Sequence, residues 1–300
     1  MNEADFQAQR PRLTRLAYRM LGSLAEAEDV AQDAWLRWRR AAQDGDEGED
    51  RGKTIADPAA WLVRVTTRLC LDRLRSERAA REAYRGPWLP EPLVEDMADD
   101  PLERAEDVSV AFLLALQRLS PLERAVFLLR DVFDEDYAAV AAALGRSEAA
   151  CRQLAARART HVREARPRFE VPQEELVRLA AAFADASRRG DTAALTEMLA
   201  EDAVLISDGG GKRPAALRPI VGRDDVIALL EGLRERGSLA VSGEVRVARI
   251  NGYPGLIVPA ADGLQTVTFE PDGAGRIAAI FIMRNPEKLS RLQANANTLG

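Results

Sequence analysis

The sequence predicts a multidomain chain, two all-α modules followed by an α+β domain, and three observations carry that prediction. From about residue 4 to residue 166, apolar residues recur at helical spacing and are interrupted at Gly, Pro and acidic segments. Within that stretch DYAAVAAALGRSEAACRQLAARARTHVREAR, Asp136–Arg166, reads as helix, glycine turn and longer helix. From Gln173 the texture changes to a few helical runs and then short alternating runs separated by Gly, Asn, Asp and Pro.

The first helix carries Phe6, Leu13, Leu16, Ala17, Met20 and Leu21 on one face, and Gly22 ends the pattern. The second, Ser23–Ala42, turns Val30, Ala31, Ala34, Trp35 and Trp38 inward and is expected to expose Glu26, Asp29, Gln32, Asp33 and Arg37. DGDEGEDRGK, Asp44–Lys53, has no periodicity and reads as a polar loop. Asp57 then caps a long helix with Pro58 at its first position, expected to reach about Arg81 with Trp61, Leu62, Val65, Leu69 and Leu74 as its core stripe. GPWLPEPLVEDMADDP, Gly86–Pro101, combines four prolines with a cluster of acids and should be extended. Val108–Leu119 and Leu122–Val132 form a helical pair joined by the cap and proline Ser120-Pro121.

The helix after Gly145 has two chemically different sides. Cys151, Leu154, Ala158 and Val162 fall within roughly 80° of one another, and Arg152, Arg159, Arg163 and Arg166 form a stripe centred about 100° away. Glu148, Ala149 and Ala156 keep the N-terminal half of that stripe slim enough to approach a base-pair floor. Ser147 is the expected N-cap, and Tyr137, Val140 and Leu144 give the preceding helix an apolar stripe. This is the layout of a DNA-reading helix-turn-helix. In the tail, helices are expected at Glu174–Arg189, Thr192–Leu199 and Asp224–Arg236. Strands are expected at Asp202–Ile206, Glu244–Ile250, Gly255–Pro259, Thr266–Glu270 and Ile277–Met283.

Composition narrows the function classes. The chain of 300 residues is 47% hydrophobic and 30% charged, enough apolar residue to bury real cores. Its net charge of −6 hides a segregation. Arg64–Arg85 and Arg146–Arg168 contain seven arginines each, whereas acid gathers in Asp44–Asp57 and Glu91–Asp107. Two basic helices separated by an acidic linker suit two contacts with a polyanion. No apolar run reaches membrane-spanning length, and the start of the chain has no signal-peptide apolar region. With only Cys70 and Cys151, both in helical patterns, a reducing cytoplasm is the expected compartment. A single histidine, His161, on an Arg-rich helix leaves no Ser-His-Asp arrangement and no metal-ligand spacing, so neither metal nor cofactor is expected. DGGGK, Asp208–Lys212, lacks the Walker spacing and the Ser or Thr that follows it, and reads as a flexible contact loop.

Two stretches resemble a known family. EAEDVAQDAWLRWRR (Glu26–Arg40) with PAAWLVRVTTRLCLDRLRS (Pro58–Ser76) resembles region 2 of bacterial RNA polymerase sigma factors of the extracytoplasmic-function group. LSPLERAVFLLRDVFDEDYAAVAAALGRSEAACRQLAARAR (Leu119–Arg159) resembles their region 4. The tail is similar to SnoaL-like domains of the cone-shaped NTF2-like fold, and WLPEPL (Trp88–Leu93), DGGGK and NPEKL (Asn285–Leu289) point to the subgroup with this fused tail. The resemblance implies divisions at 1–85 for region 2, 86–106 for the linker, 107–169 for region 4 and 173–300 for the SnoaL-like domain. It implies a non-catalytic promoter-specificity subunit that binds the β and β′ subunits of core RNA polymerase and promoter DNA.

By the same resemblance Asp29, Gln32 and Asp33 would meet core polymerase; on charge alone they are an ordinary solvated helix face. Arg64, Arg68, Arg73, Arg75 and Arg78 would meet the −10 element. Many group members have Asn where Arg68 stands, so no base-specific role is carried over to it. Ser147, Glu148, Arg152, Gln153, Ala156, Arg159 and Arg163 would meet the −35 element. Asp208, Gly209, Gly210, Gly211 and Lys212 would form a regulatory interdomain loop, giving control in cis through an intramolecular contact. The competing reading is a helix-turn-helix regulator whose NTF2-like tail senses a ligand; it needs neither the first helical module nor a polymerase-binding face.

Overall fold

The computed structural model describes residues 3–43, 57–95, 108–165 and 171–293. The loop Asp44–Lys53 and the linker acids Asp96, Asp99, Asp100 and Glu103 lie outside them. The architecture is the one expected: helical modules, then an α+β domain with a mixed sheet. Two compact units are present, Met1–Glu82 with Leu113–Ala165, and Ala83–Phe112 with Arg166–Gly300.

In the first unit, α1 (Glu3–Leu21) packs on α2 (Leu24–Gln43) and both pack on α3 (Pro58–Ser76). Gly22 at φ +75° ends α1, its N–H donating to the Tyr18 carbonyl at 2.7 Å. Phe6 stacks on Trp35 at 4.5 Å, and Trp38 meets the half-buried Trp61 edge-on at 5.5 Å. Asp57 Oδ1 accepts from the Ala60 N–H at 3.0 Å, so α3 starts where the cap and proline place it. Its buried face is wider than the expected stripe. Val63, Thr66, Thr67, Cys70 and Leu71 join Leu62, Leu69 and Leu74, while Val65 is only half-buried.

The helix also stops early. The Ser76 hydroxyl and the Glu77 N–H both take the Arg73 carbonyl, at 2.9 Å each, and the chain turns at Glu77 before a short α4 (Arg78–Glu82). Likewise the single helix expected over Leu122–Val132 is split. α5 (Val110–Gln117) is followed by α6 (Pro121–Phe127), opened by a reciprocal Ser120–Glu123 capping box, and then by a five-residue π turn, Leu128–Val132. α7 (Tyr137–Leu144) and α8 (Glu148–Ala165) complete the unit, with α7 packed on α3 as well as on α8.

The second unit is built around a seven-stranded sheet. In chain order it comprises β1 (Val94–Glu95), α9 (Gln173–Arg189), α10 (Thr192–Met198), β2 (Leu199–Asp208), β3 (Ile220–Val221), α11 (Arg223–Glu235), β4 (Arg246–Ile250), β5 (Tyr253–Ala260), β6 (Gly263–Pro271) and β7 (Ile277–Met283). The strand order is β1-β4-β5-β6-β7-β2-β3, antiparallel except for β2 beside β7. The alternating runs read from sequence are the four strands of the β4–β7 meander, each within a few residues of its expected ends. Helices α9, α10 and α11 bury Phe183, Leu195, Val226 and Leu230 against Leu205, Leu256, Phe269 and Ile280. Part of the segment read as linker belongs to this sheet: Val94 pairs with Ile250 and Glu95 with Arg249, making β1 an edge strand.

Candidate nucleic-acid interface and motif cluster

The helix-turn-helix is set by local chemistry. Asp136 Oδ1 caps α7 through the Ala139 N–H at 2.7 Å. Gly145 ends it in the left-handed region at φ +63°; a Cβ there would meet nothing within 4 Å, so conformation rather than space selects glycine. Ser147 Oγ accepts from the Ala150 N–H at 3.2 Å and opens α8. The inward ridge of α8 is Cys151, Ala155 and Ala158; Leu154 and Val162, expected on it, are half-buried at its margin. Ser147, Glu148, Arg152, Gln153, Ala156 and Arg163 are all exposed. Two arginines of the stripe have protein partners. Arg152 bonds Glu148 at 2.6 Å and lies 5.0 Å over the Tyr137 ring. Arg159 bonds Asp131 at 2.8 Å and the Tyr137 hydroxyl at 3.4 Å, and its bond to Asp131 holds its pKa above the usual guanidinium value.

The residues expected at core polymerase and at the −10 element are interleaved. Asp29 and Gln32 are exposed and Asp33 is half-buried. Arg73 reaches across from α3 to both acids, 3.8 Å from Asp29 and 3.5 Å from Asp33, so it braces α2 on α3. Arg75 pairs with Asp72 at 3.0 Å, and the exposed Arg68 turns its Nε toward the Ala143 carbonyl of α7 at 3.4 Å. Arg64 is half-buried, and the side chain of Arg78 lies outside the described residues. Of the described arginine side chains, Arg73 and Arg75 are engaged with acids and Arg68 with a carbonyl of α7.

Glu26 departs from its expected exposed place. It is half-buried beside Glu77, with Arg81 and Arg73 nearby, and its Oε2 is buried without a hydrogen-bond partner. Burial first, then the Glu77 carboxylate, raises its pKa to about 7. A carboxyl whose folded pKa is raised contributes stability that is fully present below its unfolded value and is lost as pH rises through about 7. Glu26→Gln should therefore match the parent below about pH 4 and be more stable by about 1–2 kcal/mol at pH 8, after discounting for solvent screening. Thermal melts across that range check it, and parallel pH profiles for the two proteins would refute the Glu26–Glu77 coupling.

In the second unit the three short motifs converge on one buried carboxylate. Asp208 has no solvent exposure. Its Oδ1 accepts from the Tyr84 hydroxyl at 2.7 Å and the Gly210 N–H at 2.9 Å. Its Oδ2 accepts from the Leu89 N–H at 2.9 Å and from Lys288 Nζ at 2.7 Å. Lys288 also donates to the Leu89 carbonyl at 2.6 Å and sits 3.9 Å over the Trp88 ring. Asn285 bonds the Tyr84 hydroxyl at 2.9 Å, and Lys212 pairs with Glu287.

The glycines are fixed by what surrounds them. A Cβ on Gly209 would lie 2.1 Å from the Arg213 carbonyl oxygen. Gly210, at φ +62°, sits against Asn285; Gly211, at φ +70°, sits against Arg85. Further along, Asn251, at φ +52°, exchanges bonds with Leu93 and donates to the Val108 carbonyl at 3.0 Å. Residues 84–95 are thus strapped to the C-terminal sheet at two places. Tyr84, Leu89 and Asn251 were not marked as site residues by sequence; the WLPEPL motif is the only signal that touched this strap.

Among the described residues no helix is long and apolar enough to cross a membrane. The model for sigma-70 region 2 matches residues 6–80, and that for sigma-70 region 4 matches residues 109–162. The chain is 38% identical to the ECF RNA polymerase sigma factor SigJ of Mycobacterium tuberculosis, over 97% of this chain and 94% of that one. It is 32% identical to the probable ECF RNA polymerase sigma factor SigI of the same species, over 97% and 96%. The crystal structure of SigJ superposes with a TM-score of 0.76 at 34% identity, covering 96% of this chain and 98% of that one. The helical modules, the helix-turn-helix and the C-terminal sheet are therefore shared along the whole length, and the chain belongs to the extracytoplasmic-function RNA polymerase sigma factors.

Proposed function

We propose that this sigma factor recruits core polymerase through the α2 face bearing Asp29, Gln32 and Asp33. In this reading it meets the −10 element with the α3–α4 arginines Arg64, Arg68, Arg73, Arg75 and Arg78. It reads the −35 element with Ser147, Glu148, Arg152, Gln153, Ala156, Arg159 and Arg163. The C-terminal domain tunes output in cis through the Asp208–Lys212 loop, by contact and without turnover, in the cytoplasm. The observation that carries the reading is α8, whose N-terminal half exposes Glu148, Arg152 and Gln153 beside the small Ala149 and Ala156, next to a capped turn.

The packing of α3 on α7 within the first unit adds a constraint. Positions −10 and −35 are about 25 base pairs apart, roughly 85 Å along B-DNA. Modules in direct contact do not span that distance, so the packed unit is a resting arrangement that separates on promoter binding.

Run-off transcription with core polymerase and a promoter library is the test. Arg152→Ala should cost about 1–3 kcal/mol and relax preference at one −35 position. Arg163→Ala, further along the helix, should weaken all promoters alike and reduce the salt dependence by roughly one phosphate contact. The same sequence profile in both variants would refute this division, and no promoter-dependent transcription would refute the reading as a whole.

A further inference from the structure

The concave face of the C-terminal sheet encloses a cavity of about 820 Å³ beneath α9 and α11. Strand register explains its floor. Val247 pairs with Leu256, Leu256 with Val267, Val267 with Ile282, and Ile282 with Ser207, so one row crosses β4, β5, β6, β7 and β2. All five side chains line the cavity. The next row places Val258 opposite Gln265, with Arg284 just beyond the end of β7. The floor is therefore mostly apolar, and its polar groups are Gln265 of β6, Ser207 of β2 and Arg284 just after β7. Phe183 of α9 and Leu229 and Leu233 of α11 form an apolar roof.

Several of these apolar groups are only partly covered. Leu229, Val245, Val247 and Val258 pack against the buried cluster on one side, yet they and Leu233 remain half-buried where they line the cavity. A solvated apolar surface of this extent inside a domain, with a few polar groups gathered at one end, has the form of a small-molecule site. Its charge has one sign. Among the described lining residues there are three arginines, Arg188, Arg236 and Arg284, and no Asp, Glu, His, Lys or Cys. Arg188 is paired with Asp185 and Arg284 with Asp262, whereas Arg236, exposed at the rim just after α11, has no ion-pair partner among the described residues. Nothing in the described lining titrates near neutrality, so the cavity is furnished to hold a ligand and not to perform acid-base chemistry on it.

We propose that this cavity binds an amphipathic small molecule with an apolar body and an anionic head, the body lying over Val247, Leu256 and Val258 and the head toward the arginine-bearing rim. The proposal does not rest on how the helical modules read DNA.

The probe is decanoate, compared with decanol, added to the full-length chain and followed by calorimetry and by displacement of 1-anilinonaphthalene-8-sulfonate. One decanoate per chain should bind and displace the dye, and decanol should bind more weakly. Val247→Trp fills the floor and should abolish binding of both ligands. Because that change risks the fold, cooperative melting of the variant is checked alongside. Arg236→Glu is an exposed change that leaves the cavity walls intact; it should weaken decanoate by about three- to tenfold and leave decanol unchanged. No saturable binding of either ligand, or binding that survives Val247→Trp in a folded protein, overturns the site. Equal affinity for decanoate and decanol, or an Arg236→Glu variant that binds decanoate as the parent does, overturns the anionic head.

Discussion

Replacing Asp208 with alanine should cost about 3–5 kcal/mol and release residues 84–95 from the C-terminal sheet, the range observed when one partner of a buried ion pair is removed. Four donors converge on that carboxylate, and it is wholly buried. Its removal takes the carboxylate acceptor from the Leu89 N–H and from the Lys288 ammonium in a site that water does not reach freely. Lys288 retains the Leu89 carbonyl and the rings of Trp88 and Tyr84, but loses the opposite charge it faces. Hydrogen exchange should show the Leu89 amide losing most of its protection, with β1 loosening at Val94 and Glu95 because the carboxylate that holds the strap upstream of the Asn251 contacts is gone. Asp208→Asn keeps the shape but aims an amide N–H₂ where Tyr84 or Lys288 donates, so it should be nearly as damaging. Lys288→Met added to Asp208→Asn should recover part of the loss, because the ammonium that faced the carboxylate is gone. Unchanged exchange at Leu89 in the alanine variant would refute the role of this carboxylate as the anchor of the strap.

That cluster also shows where sequence reading stops. The helix-turn-helix was legible because each determinant is local: Asp136, Gly145 and Ser147 act on backbone groups within three or four residues of themselves. The β4–β7 meander was legible because its short apolar runs are divided by Asn, Gly, Asp and Pro at the turns. By contrast, Tyr84 and Leu89 each lie more than 100 positions from Asp208, and no periodicity encodes their meeting. β1 is two residues long, too short to alternate. Glu26 was placed on the exposed face of α2 because its own helix puts it there; the half-buried setting comes from Glu77, after the end of α3. The reach of Arg73 from α3 to Asp29 and Asp33 on α2 is likewise a pairing between residues distant in the chain. What the sequence leaves out is long-range pairing, not local propensity.

Arg124→Met should destabilise the first unit by about 2–4 kcal/mol, and here two opposed effects have to be weighed. Arg124 is 4% exposed, and burial, followed by the nearby Arg81, pulls its pKa down to about 9, so it stays charged at neutral pH. Removing a buried charge relieves a desolvation cost, and a methionine of similar length fills much of the space. Against that, the guanidinium serves two helix ends. Its Nε donates to the Leu116 carbonyl at 2.9 Å, near the end of α5, and another nitrogen donates to the Met20 carbonyl at 2.5 Å, near the end of α1. Carbonyls at helix C-termini lack intrahelical donors, and a cation there also meets the negative end of each helix dipole. The Leu116 carbonyl keeps the Leu119 N–H at 3.1 Å, but the Met20 carbonyl loses its guanidinium donor and both lose a charged hydrogen bond, which costs more than the relief of one desolvated guanidinium. The expected result is a melting temperature lower by roughly 5–10 °C. Arg124→Lys should fall between the two proteins, since one ammonium reaches one of the two carbonyls well. Because Arg124 lies on α6 and Met20 on α1, the same change loosens the region 4 helices from the region 2 helices. Weakened protection of α7 where it packs on α3 would register that loosening directly, whereas a methionine variant as stable as the parent would mean that the desolvation cost is the larger effect.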